Sequence, residues 1–133
     1  MRTVTVVIEK GQDGKYWART AQELNGDTML NGYGDTAQEA KNDIETAYKD
    51  AREDAQESGR TFEDVKFEYK YDLQSFFDYF SVFNVNEVAR LAGINPSLMR
   101  QYRAGFKKAG EQTYSRLSAC VDKIKKELQA ACF

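Results

Sequence analysis

Between Val85 and Gly105 the chain reads VNEVARLAGINPSLMRQYRAG, and two interruptions inside it leave few folds open. Gly93 ends any helix that begins near Val85, because glycine reaches the left-handed conformation at a helix C-terminus without steric cost. Asn95 and Pro96 then start another: asparagine is a favoured N-cap, and proline a favoured first helical residue. Val88, Leu91 and Ala92 recur at helical spacing before the break, and Leu98, Met99 and Tyr102 after it. The stretch predicts two short helices crossing at a tight turn. The smallness of Ala89 permits a close crossing, and Ser97, Arg100, Gln101 and Arg103 are left facing outward.

With 133 residues the chain suffices for one ordinary domain or two small ones. No apolar run reaches membrane-spanning length, and Met1-Arg2-Thr3 leads straight into an alternating strand pattern rather than a signal peptide, so a cytoplasmic protein without membrane contact is expected. Its two cysteines, Cys120 and Cys132, lie in one helical stretch without CxxC spacing, and the chain has no histidine. Free thiols in a reducing compartment are expected, with no zinc site and no cofactor.

Net charge is -2, but it is unevenly spread. Residues 1–70 hold 10 Lys or Arg against 15 Asp or Glu, whereas residues 71–133 hold 9 against 6, giving -5 and +3. A basic C-terminal part suits a polyanion; an acidic N-terminal part repels nucleic acid and attracts a basic protein. Such an imbalance can equally serve solubility alone, and it gains meaning because the basic part also holds the two-helix stretch.

In chain order, Thr3–Glu9 is rich in β-branched residues and predicts a strand. Gly11, Asp13 and Gly14 make a turn, and Tyr16–Thr20 predicts a second strand in an antiparallel hairpin. Thr28–Tyr33 predicts a third. Asp35 or Thr36 can then cap a long helix, with Glu39 reaching back to the cap, and Ala40, Ile44, Ala47, Tyr48 and Ala51 follow the spacing of one buried face. Gly59 ends that helix near Ser58, and Val65–Tyr71 alternates as a fourth strand. The fold class expected is α+β: residues 1–71 form a small three- to four-stranded, mainly antiparallel sheet with one long helix on one face, and residues 72–133 form an all-α helix-turn-helix domain.

Beyond Asp72 the period becomes helical. Leu73, Phe76, Phe77 and Phe80 make an apolar stripe expected to lean on the two-helix stretch. After Gly110, the residues Tyr114, Leu117, Val121, Ile124 and Leu128 form a narrow seam on a last helix. A narrow seam suggests a partner helix, and a homodimer or higher homo-oligomer is expected.

The outward set of the second short helix fits DNA recognition. Asn95, Ser97, Arg100 and Gln101 lie nearest the bases in this reading, since Arg pairs with guanine and Gln with adenine; Arg103, Lys107 and Lys108 would neutralise phosphates. A solvated helical hairpin is the competing reading. In the front half, Glu39, Asp43, Glu45, Asp50, Glu53, Asp54 and Glu57 line the long helix as a solvated face or a protein-facing surface. Carboxylates spread round a helix do not converge on one ion by themselves, so no metal site is expected. Tyr16 and Trp17 are adjacent in a strand and point to opposite faces, which forces one ring toward solvent and makes it a candidate for protein contact. The other front-half aromatics are expected in the core, and no enzyme activity is expected.

Two segments, VTVVIEKGQDGKYWART and LNGDTMLNGYGDTAQEAKNDIETAY, carry a resemblance. A strand ending in Glu-Lys, an Asp-Gly turn into an aromatic strand and a Gly-x-Gly-Asp-Thr-x-x-Glu-Ala helix start together resemble the HicB family of antitoxins over residues 1–71. The back half is similar to the helix-turn-helix of phage repressor and Cro-like regulators at Val88, Ala89, Gly93, Ile94, Met99 and Tyr102. The resemblance implies a partial ribonuclease H-like domain, an antitoxin that neutralises a small basic HicA-like ribonuclease toxin, and repression of its own operon through operator DNA. Candidate toxin contacts are Trp17, Asp43, Asp50 and Glu53. The alternative is a stand-alone helix-turn-helix regulator whose front domain senses a protein or small ligand.

Overall fold

Alternation of apolar and polar residues sets the centre of the fold. The computed structural model describes residues 1–133. In β1 (Arg2–Lys10), Val4, Val6 and Ile8 are fully buried on one face. Around it lie β2 (Tyr16–Thr20), β3 (Asn31–Gly34) and β4 (Val65–Tyr71), in the order β3-β2-β1-β4. The first two neighbour pairs are antiparallel, but β4 runs parallel to β1. The sheet is therefore mixed: antiparallel in two of its three pairings, as expected, and parallel in the third. A parallel neighbour needs a long crossover, which α1 (Ala37–Glu57) supplies between β3 and β4.

The third strand is shorter than the expected Thr28–Tyr33. Leu24 and Thr28 bridge each other around Asn25 and Gly26, both at positive φ, so this segment turns where extension was expected. Helix α1 starts as its spacing predicts: Thr36 caps the N–H of Glu39 while Glu39 returns to the cap backbone. Its Ala37, Ala40 and Ile44 lie buried over one face of the sheet, where register places Gly32, Ala18, Ile8 and Tyr71 in one row. Each fully buried Val or Ile contributes about 1.5–3 kcal/mol. The exposed ion pairs of this region, such as Arg52 to Asp64 at 3.2 Å, contribute roughly 0–1 kcal/mol each, so the apolar layer holds it together.

Helix α2 (Leu73–Tyr79) corrects an expectation. The helix packs against β1, β4 and α1, and the chain divides into compact units after Tyr79, not between 71 and 72. Polar contacts explain the placement. Asp72 accepts from the N–H of Ser75 at 2.8 Å and from the N–H of Lys10 at 3.0 Å, while buried Ser75 donates to the carbonyl of Ile8 at 2.8 Å. Asp78 accepts from the N–H of Ala37 at 2.9 Å, covering one orphan donor at the start of α1. Leu73 and Phe77 are thereby held against the sheet end.

The second unit, Phe80–Phe133, holds α3 (Val85–Ala92), α4 (Pro96–Ala104) and α5 (Glu111–Gln129). Its buried set is small: Val88, Ala89, Ile94, Met99 and Cys120. No helix of the chain is long and apolar enough to cross a membrane.

Candidate functional site

Local chemistry builds the second unit's outward surface. Asn84 caps α3 by accepting from the N–H of Glu87, and Gly93 ends it in the left-handed region at φ 72°. Asn95 then caps α4, its Oδ1 accepting from Ser97 N at 2.9 Å and Leu98 N at 3.2 Å. Gly105 closes α4 at φ 85°. Arg116 of α5 donates to the carbonyl of Gly93 at 3.1 Å, bracing the turn between the two short helices.

Of the residues that the sequence assigned to DNA, Asn95, Ser97, Arg100, Lys107 and Lys108 are exposed, whereas Gln101 and Arg103 are half-buried. Geometry separates their capacities. Both lone pairs of Asn95 Oδ1 already serve the helix start, so this residue cannot make the two-armed contact with adenine that needs a free carbonyl oxygen. Arg100 Nη1 donates to Asn86 Oδ1 of α3 at 2.8 Å, which fixes the guanidinium across the two helices and leaves its other N–H groups to an acceptor such as guanine or phosphate. Asn86 was not among the sequence-predicted residues. Nothing in the spacing of 86 and 100 shows the pair, since it depends on how the helices cross. Lys107 and Lys108 lie beyond α4, on the segment leading to α5.

The front unit offers a different surface. Along α1, Glu39, Asp43, Asp50, Glu53 and Glu57 recur at spacings of three, four and seven and are all exposed. Two of them have local partners. Glu39 accepts from Asp35 N at 2.6 Å within the cap, and Asp43 accepts from Tyr33 N at 2.9 Å, covering a donor on edge strand β3. Asp43, a candidate toxin contact, therefore protects a sheet edge. Asp50 and Glu53 face solvent. Glu45 accepts from the hydroxyl of Tyr69, and Lys41 lies over the rings of Tyr69 and Tyr79 at 4.4 and 4.6 Å. Burial, with the Glu45 carboxylate second, raises the Tyr69 phenol; burial pushes Tyr71 up to about 12.

Of the adjacent aromatics in β2, Tyr16 is buried and Trp17 is 43% exposed. Trp17 stacks on Tyr33, itself 58% exposed, with ring centroids 5.2 Å apart and planes at 23°. Register sets Glu9, Trp17 and Tyr33 in one row on the sheet face opposite α1. The side chain of Trp17 also lies close to Gly11, where an added Cβ would meet its Nε1 at 3.0 Å. No group of three or more Cys, Asp or Glu side chains is placed to hold a metal ion.

Fold and surfaces together describe a two-unit α+β protein with an acidic sheet-and-helix unit and a basic helical unit. Comparison of the chain with protein-family models, with curated proteins and with solved structures finds no match.

Proposed function

We propose that the chain is an antitoxin of HicB type: a cytoplasmic binder without a catalytic step. In this reading its first unit, a partial ribonuclease H-like domain, covers a small basic ribonuclease toxin, and its second unit is a helix-turn-helix that represses the operon. The observation that carries the reading is the coincidence of charge with architecture. Met1–Tyr79 hold 10 Lys or Arg against 17 Asp or Glu, and Phe80–Phe133 hold 9 against 4, so the units carry -7 and +5. Opposite charges on separate units suit two partners of opposite charge, a basic protein and a nucleic acid. The capped α3–α4 pair with Ser97 and Arg100 exposed supports the nucleic-acid half. The α5 seam, half-buried at Tyr114, Leu117, Val121 and Ile124 and exposed at Leu128, is proposed as the homodimer contact that sets two such pairs on successive DNA turns.

The deciding experiment co-expresses the chain with the small basic protein encoded by its neighbouring reading frame. Relief of growth arrest by the full chain supports the antitoxin. A mobility shift on the upstream DNA, with sequence preference relaxed in Arg100→Ala, supports the repressor. Binding to that DNA without any neutralisable neighbour would instead favour the stand-alone regulator.

A further inference from the structure

Cross-strand register places three side chains of unlike chemistry side by side on the uncovered face of the sheet: Glu9 of β1, Trp17 of β2 and Tyr33 of β3. Directly opposed residues in antiparallel pairs have Cβ atoms about 4.5–5.5 Å apart, so one planar group can touch a ring and the carboxylate together. Trp17 and Tyr33 stack and yet stay 43% and 58% exposed. The Glu9 carboxylate is held only loosely, 3.9 Å from Arg19 Nε in the next row, with both side chains about half exposed.

We propose that the Glu9–Trp17–Tyr33 row is a subsite for an arginine side chain of a basic protein partner. A guanidinium stacks flat on an aromatic face and presents paired N–H donors to a carboxylate; a lysine ammonium meets both only as a compact point charge, without planar stacking or a paired fork. The Glu9 carboxylate within the row favours a cationic group of a basic protein over the phosphates of a single-stranded RNA that would otherwise use the rings for base stacking, whereas the next row of the same face carries the cations Arg19 and Lys70. Stacking of Trp17 on Tyr33 also ties the four-residue β3 to β2, but that duty does not involve the carboxylate in the row. The proposal rests on the protein-binding role given to the first unit above and names the chemistry it recognises.

Trp17 is the only tryptophan of the chain, so its fluorescence reports on the row directly. The full chain is titrated with a Gly-Arg repeat peptide, with the matching Gly-Lys peptide and with oligouridine. The arginine peptide is expected to change Trp17 emission saturably and to bind about tenfold tighter than the lysine peptide. Glu9→Gln is expected to weaken the arginine peptide about fivefold or more while the melting temperature stays as in the wild type. Equal affinity for both peptides, an unaltered affinity in Glu9→Gln, or preferential quenching by oligouridine would each overturn the proposal. The two readings fail separately. Loss of the arginine preference removes the subsite even if a neighbouring basic protein is neutralised, and a missing neighbour removes the antitoxin while a Glu9-dependent arginine preference stands.

Discussion

Gly32 sits where α1 meets the sheet, and its lack of a side chain is a steric requirement. A Cβ there would fall 2.6 Å from Ile44 N and 2.9 Å from Ala40 O, both backbone atoms that cannot swing away. Gly32→Ala is expected to cost about 1–3 kcal/mol, measured as a lower urea midpoint with an unchanged slope. Asn86 carries a different kind of constraint. Its hydrogen bond to Arg100 holds one guanidinium orientation, so under the proposed DNA-binding role Asn86→Ala should loosen sequence discrimination by about tenfold at one base position, read by binding-site selection from random DNA. The salt dependence, which phosphate contacts set, should stay unchanged; intact discrimination would show that Asn86 has no positioning role. The sequence exposed Arg100 as a candidate because helical spacing turned it outward. It gave no sign of Asn86, and Asn95, offered both as cap and as base contact, serves the helix start with its oxygen.

At the scale of elements, α3 packs against α4 and α5, and its Ala89 is fully buried. Ala89→Leu should push α3 off these neighbours at about 1–3 kcal/mol, seen as faster amide exchange in α3 and α4. In the first unit, β4 brings Tyr69 and Tyr71 against α1 and α2. Burial raises both phenols above their ordinary 10.0, Tyr71 to about 12, so the folded state favours the neutral form. That preference contributes its full stabilisation below pH 10 and is lost as pH rises through the folded value. Urea midpoints should therefore fall between about pH 10 and 12, and less steeply in Tyr71→Phe. The helical and strand periods announced most of these elements. The short α2 was legible as a helix but grouped with the wrong unit, because its place beside the sheet rests on Asp72, Ser75 and Asp78 reaching β1 and α1 across the fold.

At the scale of the molecule, the division after Tyr79 has a direct consequence. A fragment of residues 1–79 should unfold cooperatively and bind an anion exchanger at pH 7, whereas residues 1–71 lack Leu73, Ser75 and Phe77 and should melt at a clearly lower temperature. Equal melting of the two fragments would mean that α2 adds nothing to the first unit. What the sequence alone determined is whatever depends on near neighbours along the chain: the strand and helix periods, the Thr36 and Asn95 caps, the Gly93 stop, and a charge imbalance that moving the boundary to Tyr79 enlarges. Only the tertiary structure decided the parallel return of β4 beside β1, the home of α2, the Asn86–Arg100 pair and the row of Glu9, Trp17 and Tyr33. Those features join residues far apart in the chain, and their contacts follow from register and helix crossing, which local periodicity does not encode.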